Sequence, residues 1–161
     1  NTGYLTGKTL VGLAIAVLPI LAVFAAGIIT GARMDDGWRW FAAAGLVLVG
    51  ALPFALYGLA TALLFRSEAA VSVASGLLVL FAFFGNVFMP LHGLMLDIAR
   101  FTPMYGATAL ARWPLLEGYV VGDSGGMPIS DPLWLPVLNL GAWTLIFAAI
   151  TLVAARRRTS R

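Results

Sequence analysis

The sequence contains no cysteine and a single histidine, His92, in 161 residues. Disulfides, thiolate metal sites and iron–sulfur clusters are therefore excluded, and so is a haem held between two histidines. The seven acidic residues form no cluster with His92 that would make a metal site. Charge is scarce as well. Charged residues make up 11% of the chain, against about 25% in ordinary soluble domains. The sequence is 61% hydrophobic, with a mean hydropathy of +0.95. A chain of this composition cannot cover itself with polar surface in water, so its environment is lipid.

Four stretches lack Asp, Glu, Lys and Arg: Thr9 to Ala32, Trp40 to Phe65, Ala69 to Leu96 and Leu133 to Ala155. Each reaches the roughly 20 apolar residues that a spanning helix needs. The first holds 12 Leu, Ile, Val or Phe residues, which together favour insertion by several kcal/mol. It is too long for a signal peptide and lacks a small-residue cleavage site followed by a polar mature domain. The reading is an all-α membrane protein forming one transmembrane domain over 1–161. Its four transmembrane helices lie near 9–32, 40–65, 69–90 and 133–155. Pro19 and Pro53 fall mid-span, where proline kinks a membrane helix without abolishing it.

The net charge of +3 does not signal nucleic-acid binding, because no basic face extends along the chain. Arg156, Arg157, Arg158 and Arg161 instead follow the last apolar run, the usual place for cytoplasmic anchors. Lys8 and Arg66 join them on one side; Arg33, Arg39, Arg100 and Arg112 lie on the other. The positive residues thus place both ends of the segment in the cytoplasm of a plasma-membrane protein.

The connection from Pro90 to Pro132 is unlike a plain loop. Leu91, Leu94, Met95, Ile98 and Phe101 share one helical face, with Gly93, Asp97 and Arg100 opposite and Asp97 and Arg100 at i,i+3. Thr102-Pro103 reads as an N-cap followed by proline at the first helical position. A second short helix then runs from Met104 to Trp113 and stops before Pro114. These helices are too short to span, and Tyr105, Trp113 and Tyr119 beside them suit the membrane interface or a re-entrant hairpin. The expectation is an outer-face helical hairpin over 91–113 and an outer loop over 114–132.

That outer loop contains Gly122-Asp123-Ser124-Gly125-Gly126, the pentapeptide around a trypsin-like nucleophile. The trypsin fold is a soluble β-barrel that this composition cannot build. In the rhomboid pattern the serine sits on a membrane helix with its histidine after it, whereas His92 precedes Ser124. Without a base or an oxyanion hole, the glycines read as turn formers. Gly3-Tyr4-Leu5-Thr6-Gly7-Lys8-Thr9 resembles a phosphate-binding loop but has three residues between its glycines, not four, and precedes a membrane helix. This chain is not expected to hydrolyse ATP.

The run Phe84 to Gly118 (FGNVFMPLHGLMLDIARFTPMYGATALARWPLLEG) carries a family resemblance. It resembles the permease subunits of type-2 ABC exporters, which export drugs, lipids and polysaccharides. In that family the fifth of six spans ends at a proline-containing break, and an outer helical hairpin precedes the last span. Pro103-Met104-Tyr105-Gly106 fits the start of the hairpin's second arm. Tyr4 to Leu13, with Lys8 at the cytoplasmic edge, looks like the entry to the family's third span. The resemblance covers essentially the whole chain as the last four of six helices. It implies the C-terminal part of a longer protein or, alternatively, a four-helix relative that borrows the missing helices from a partner.

The resemblance further implies alternating access between two permease subunits, forming a homo- or heterodimer in membrane lipid. It implies ATP and Mg in a separate nucleotide-binding subunit, with no cofactor bound by this chain. Phe83, Phe84, Asn86, Phe88 and Met89 become candidate linings of a cavity for an amphipathic drug or lipid. Arg66, Ser67 and Glu68 form a candidate contact with the ATPase. Pro90, His92, Asp97, Arg100, Pro103 and Tyr105 are candidate parts of an outer gate. Two other classes remain open at this point: a membrane-embedded hydrolase or transferase using Asp97, His92 and Ser124, and a non-transporting assembly subunit.

Overall fold

The computed structural model describes residues 2–31, 36–65, 67–120 and 129–159. They form six helices: α1 (Thr2–Ile29), α2 (Gly37–Leu64), α3 (Glu68–Phe84), α4 (Leu94–Ala99), α5 (Pro103–Leu116) and α6 (Trp134–Thr159). Extended pairing among the described residues is limited to the antiparallel bridge Tyr119–Ser130. Three helices are long and apolar enough to cross a membrane, within Thr6–Ile29, Gly37–Leu64 and Trp134–Arg157. The chain is an all-helical membrane protein.

The expected third span departs from its boundaries. Its helix has 17 residues and ends at Phe84, not Pro90. At about 1.5 Å per residue it is some 25 Å long, short of the roughly 30 Å hydrocarbon core. Gly85 follows as the C-cap, and Asn86 adopts a left-handed φ of 57°, which stops a helix without any proline. The start of α3 follows expectation. Ser67 N-caps it, its Oγ accepting from the Ala70 N–H at 3.3 Å, and Glu68 sits in the first turn.

The expected hairpin is also redrawn. Its first arm is only Leu94–Ala99, and its second runs through Pro114 to Leu116. Pro114 lies inside the last turn of α5; its carbonyl, one of those left free at the helix end, accepts from Arg39 Nη1 at 3.0 Å, while Glu117 closes the end in a left-handed conformation. Thr102 does N-cap α5, but its side chain faces backward. Its Oγ1 donates to the Ala99 carbonyl at 2.8 Å and makes no cap bond.

Helix α1 lies against α2, through Gly12 facing Ala55 and an edge-on contact of Phe24 with Trp40. Its apolar stretch has no buried residue. Such a face is stable only against lipid or another protein. Helices α2 and α6 run in the same direction. They are joined where Thr151 Oγ1 donates to the Leu56 carbonyl (3.1 Å) and where Tyr57 meets Phe147. Tyr57 also donates to the Ala74 carbonyl of α3 at 2.7 Å. Helix α5 packs into the seam between α2 and α6.

Candidate functional site

The α4–α5 hairpin enters the bundle. Gly50, the midpoint of α2, faces Ala107 of α5, where an added Cβ would sit 3.3 Å from the Ala107 Cβ. The far end of α5 reaches Arg39, in the first turn of α2. Helix α5 therefore climbs antiparallel to α2, from its middle to its beginning. On α6, Trp143 Nε1 donates to the Phe101 carbonyl at 2.9 Å, nine residues or about 14 Å past Trp134. The turn of the hairpin thus sits beside the middle of α2 and more than two turns into α6.

A turn at that depth must have its backbone satisfied by protein. Asn139 Nδ2 donates to the Arg100 carbonyl (2.7 Å), Trp143 to that of Phe101, and Thr102 Oγ1 to that of Ala99. Two close approaches hold the arms in place. Gly106 presses on α6 so tightly that an added Cβ would lie 3.0 Å from the Leu140 backbone nitrogen and collide with the Asn139 side chain. The Asn139 Oδ1 is buried and accepts no hydrogen bond; it is packed instead over the glycine. Gly118, at φ 92°, turns the chain back where a side chain would meet the Trp113 ring at 2.7 Å.

Beyond Gly118 the chain returns along α5. Val120 N–H donates to the Ile129 carbonyl (2.8 Å) and Asp131 N–H to that of Gly118 (2.9 Å). This pairing delivers Asp131 to the hairpin, where its residue is only 7% exposed. Arg100 grips its carboxylate with both edges, Nη2 to Oδ1 at 2.6 Å and Nε to Oδ2 at 3.3 Å. The Tyr105 hydroxyl donates to Oδ2 as well. Such charge-assisted, two-point pairs are stronger than ordinary hydrogen bonds and fix orientation. Beneath them lies the tightest packing in this region, Leu96, Ala99 and Tyr105, each at most 2% exposed. A second ionic contact ties the end of α5 to α2 through Arg39 Nη2 and Glu117 Oε1 at 2.7 Å.

The sequence-derived candidates fall into separate groups. Asp97 and Arg100 do pair, at 2.8 Å, but Asp131 is the more buried partner and carries the larger share of the guanidinium's bonds. Pro103 and Tyr105 are buried in the hairpin, whereas Pro90 and His92 are exposed. Asn86 turns inward, and its Oδ1 accepts from the Leu91 N–H at 2.9 Å. Arg112 Nη1 donates to the Asn86 carbonyl at 2.7 Å, so the break after α3 is bonded on both sides. Phe83, Phe84, Phe88 and Met89 are exposed, with the Phe83 and Phe88 rings 5.1 Å apart. Ser67 and Glu68 begin α3; Arg66 and Ser124 lie outside the described residues. Among those described, no group of His, Cys, Asp and Glu could hold a metal ion.

Sequence reasoning missed Asp131 and the use of Arg39. The available signal was an acid-proline pair, Asp131-Pro132, immediately before a spanning helix.

With this geometry in place, comparison with known proteins is informative. The Bacillus subtilis (strain 168) protein named "Putative transport permease YvfS" is 26% identical over 158 residues. The match covers 96% of this chain and 60% of that protein. The chain is similar to a transport permease. It spans about 60% of the length of the curated relative it matches. No protein-family model and no solved structure matches the chain.

Proposed function

We propose that the chain is the membrane-embedded part of a permease subunit of a type-2 ABC exporter, moving an amphipathic drug or lipid by alternating access. The observation that carries this reading is the hairpin, seated between α2 and α6 and latched through Arg100, Asp131 and Tyr105. The similarity to a transport permease along nearly the whole chain supports it. In this reading α3 and the segment after it make the fourth crossing, both ends of the chain are cytoplasmic, and the hairpin faces outward.

The latch would then act as the outer gate. Closed, it holds Asp131 against α4 and α5 and keeps the hairpin in the seam. A ligand moves only if the two states of the permease bind it differently, and opening the latch supplies such a difference. Phe83, Phe84, Phe88 and Met89 would face a cavity completed by a second permease subunit, where aromatic and thioether groups accommodate varied apolar ligands. Arg66, Ser67 and Glu68 would meet a cytoplasmic nucleotide-binding subunit, which holds the ATP and Mg.

The test is co-expression with the nearest reading frame that encodes an ABC ATPase, followed by purification on a tag carried by this protein. The expected result is a stable complex whose ATPase rate responds to an amphipathic compound. An intact complex without a nucleotide-binding subunit overturns the proposal.

A further inference from the structure

A groove distinct from the exposed aromatic run on α3 opens between the hairpin and α6. Its volume is about 590 Å³, within the range of roughly 300–1,000 Å³ for sites that take drug-sized ligands. Phe101 and Asp97 from the hairpin side face Trp134, Leu138 and Trp143 of α6 across it. Phe101 and Trp134 are 80% and 61% exposed, so two aromatic rings stand open at this face of the molecule.

The charge at its polar end is unbalanced. Among the described residues Arg100 is the one cation lining the groove, and it is shared between Asp97 and Asp131. Two carboxylates against one guanidinium leave one negative charge. Asp131 takes the two-point grip and is buried, so the excess falls on Asp97, whose side chain is 63% exposed. The other nearby arginines are bonded elsewhere. Arg39 is held by Glu117 and the Pro114 carbonyl, and Arg112 by the carbonyls of Asn86 and Val87. A carboxylate beside open indole and phenyl faces is the chemistry that recognises an organic cation with apolar substituents.

We infer that this groove binds an amphipathic organic cation of drug size, its charge beside Asp97 and its apolar groups against Trp134, Trp143 and Phe101. The inference deepens the transport reading by naming a ligand class, but binding itself needs no ATPase, so the two can fail separately.

The test uses the full protein purified in maltoside without nucleotide. Radiolabelled tetraphenylphosphonium is the probe and tetraphenylborate, its anionic counterpart of the same shape, the control. The phosphonium is expected to bind saturably and the borate not. Asp97→Asn, which leaves the Arg100–Asp131 contact in place, should weaken the phosphonium by roughly fivefold or more, and Trp134→Leu by a smaller factor. Added phosphatidylcholine should not compete. Equal binding of the two probes, no saturable binding by the wild type, or wild-type affinity in a monodisperse Asp97→Asn protein each overturns the inference. Competition by phosphatidylcholine also overturns it, by assigning the groove to a choline headgroup.

Discussion

The two ends of the bundle are held by different physics. At the hairpin end, charged and polar side chains converge from four elements: Arg39 from α2, Arg100 and Tyr105 from the hairpin, Asp131 from the return strand and Asn139 from α6. Toward the other end, α1, α2, α3 and α6 meet through apolar rings, small residues and single hydroxyls such as those of Tyr57 and Thr151. Apolar packing in lipid gains little from exclusion of water, so it specifies position weakly. Buried ionic contacts specify position strongly and are costly to break singly. In the proposed mechanism that difference makes the hairpin end the part that would open and close, and the helix shafts its frame.

Four substitutions probe that contrast, each read as the temperature at which the purified protein loses monodispersity in maltoside. The largest effect is expected from Asp131→Ala. It strips Arg100 and Tyr105 of their shared buried acceptor and should cost about 2–4 kcal/mol, toward the lower end because Arg100 keeps Asp97. Next comes Gly106→Leu, which inserts a side chain where Leu140 and Asn139 already touch the backbone; overpacking of this kind costs about 1–3 kcal/mol. Glu117→Gln should cost less than about 1 kcal/mol, since the carboxylate is 66% exposed. Raising the salt concentration should erase most of that loss. Leu18→Ala, on the open face of α1 at 75% exposure, should be near neutral. A Leu18 effect as large as that of Asp131 would mean that the shafts, not the latch, hold the structure together.

Much of the frame was legible because it depends on local pattern. Apolar runs without charge located α1, α2 and α6, whereas the cap at Ser67, which starts α3 at Glu68, was passed over as part of a turn. Two boundaries misled because proline draws attention. The helix break expected near Pro90 occurs at Gly85-Asn86, where the signal was a residue able to adopt a left-handed turn. The stop expected before Pro114 does not occur: the helix runs on to Leu116, and Arg39 bonds the Pro114 carbonyl that the helix end leaves free. The i,i+3 spacing revealed Asp97–Arg100 and hid Asp131, which lies 31 residues beyond Arg100 in the chain. No periodicity links the two; only the fold-back at Gly118 does.

The bonds from Asn139 and Trp143 to the hairpin's carbonyls have a mechanical consequence. They lie four residues apart on α6 and engage consecutive carbonyls, those of Arg100 and Phe101. Sliding α6 by one turn, about 5.4 Å, or rotating it by a quarter, would take both donors away from these carbonyls at once. A carbonyl that loses its donor while buried costs about 1–3 kcal/mol. In the proposed cycle the hairpin and the first half of α6 would therefore travel as one lever, and an outward swing would pivot farther along α6 than Trp143.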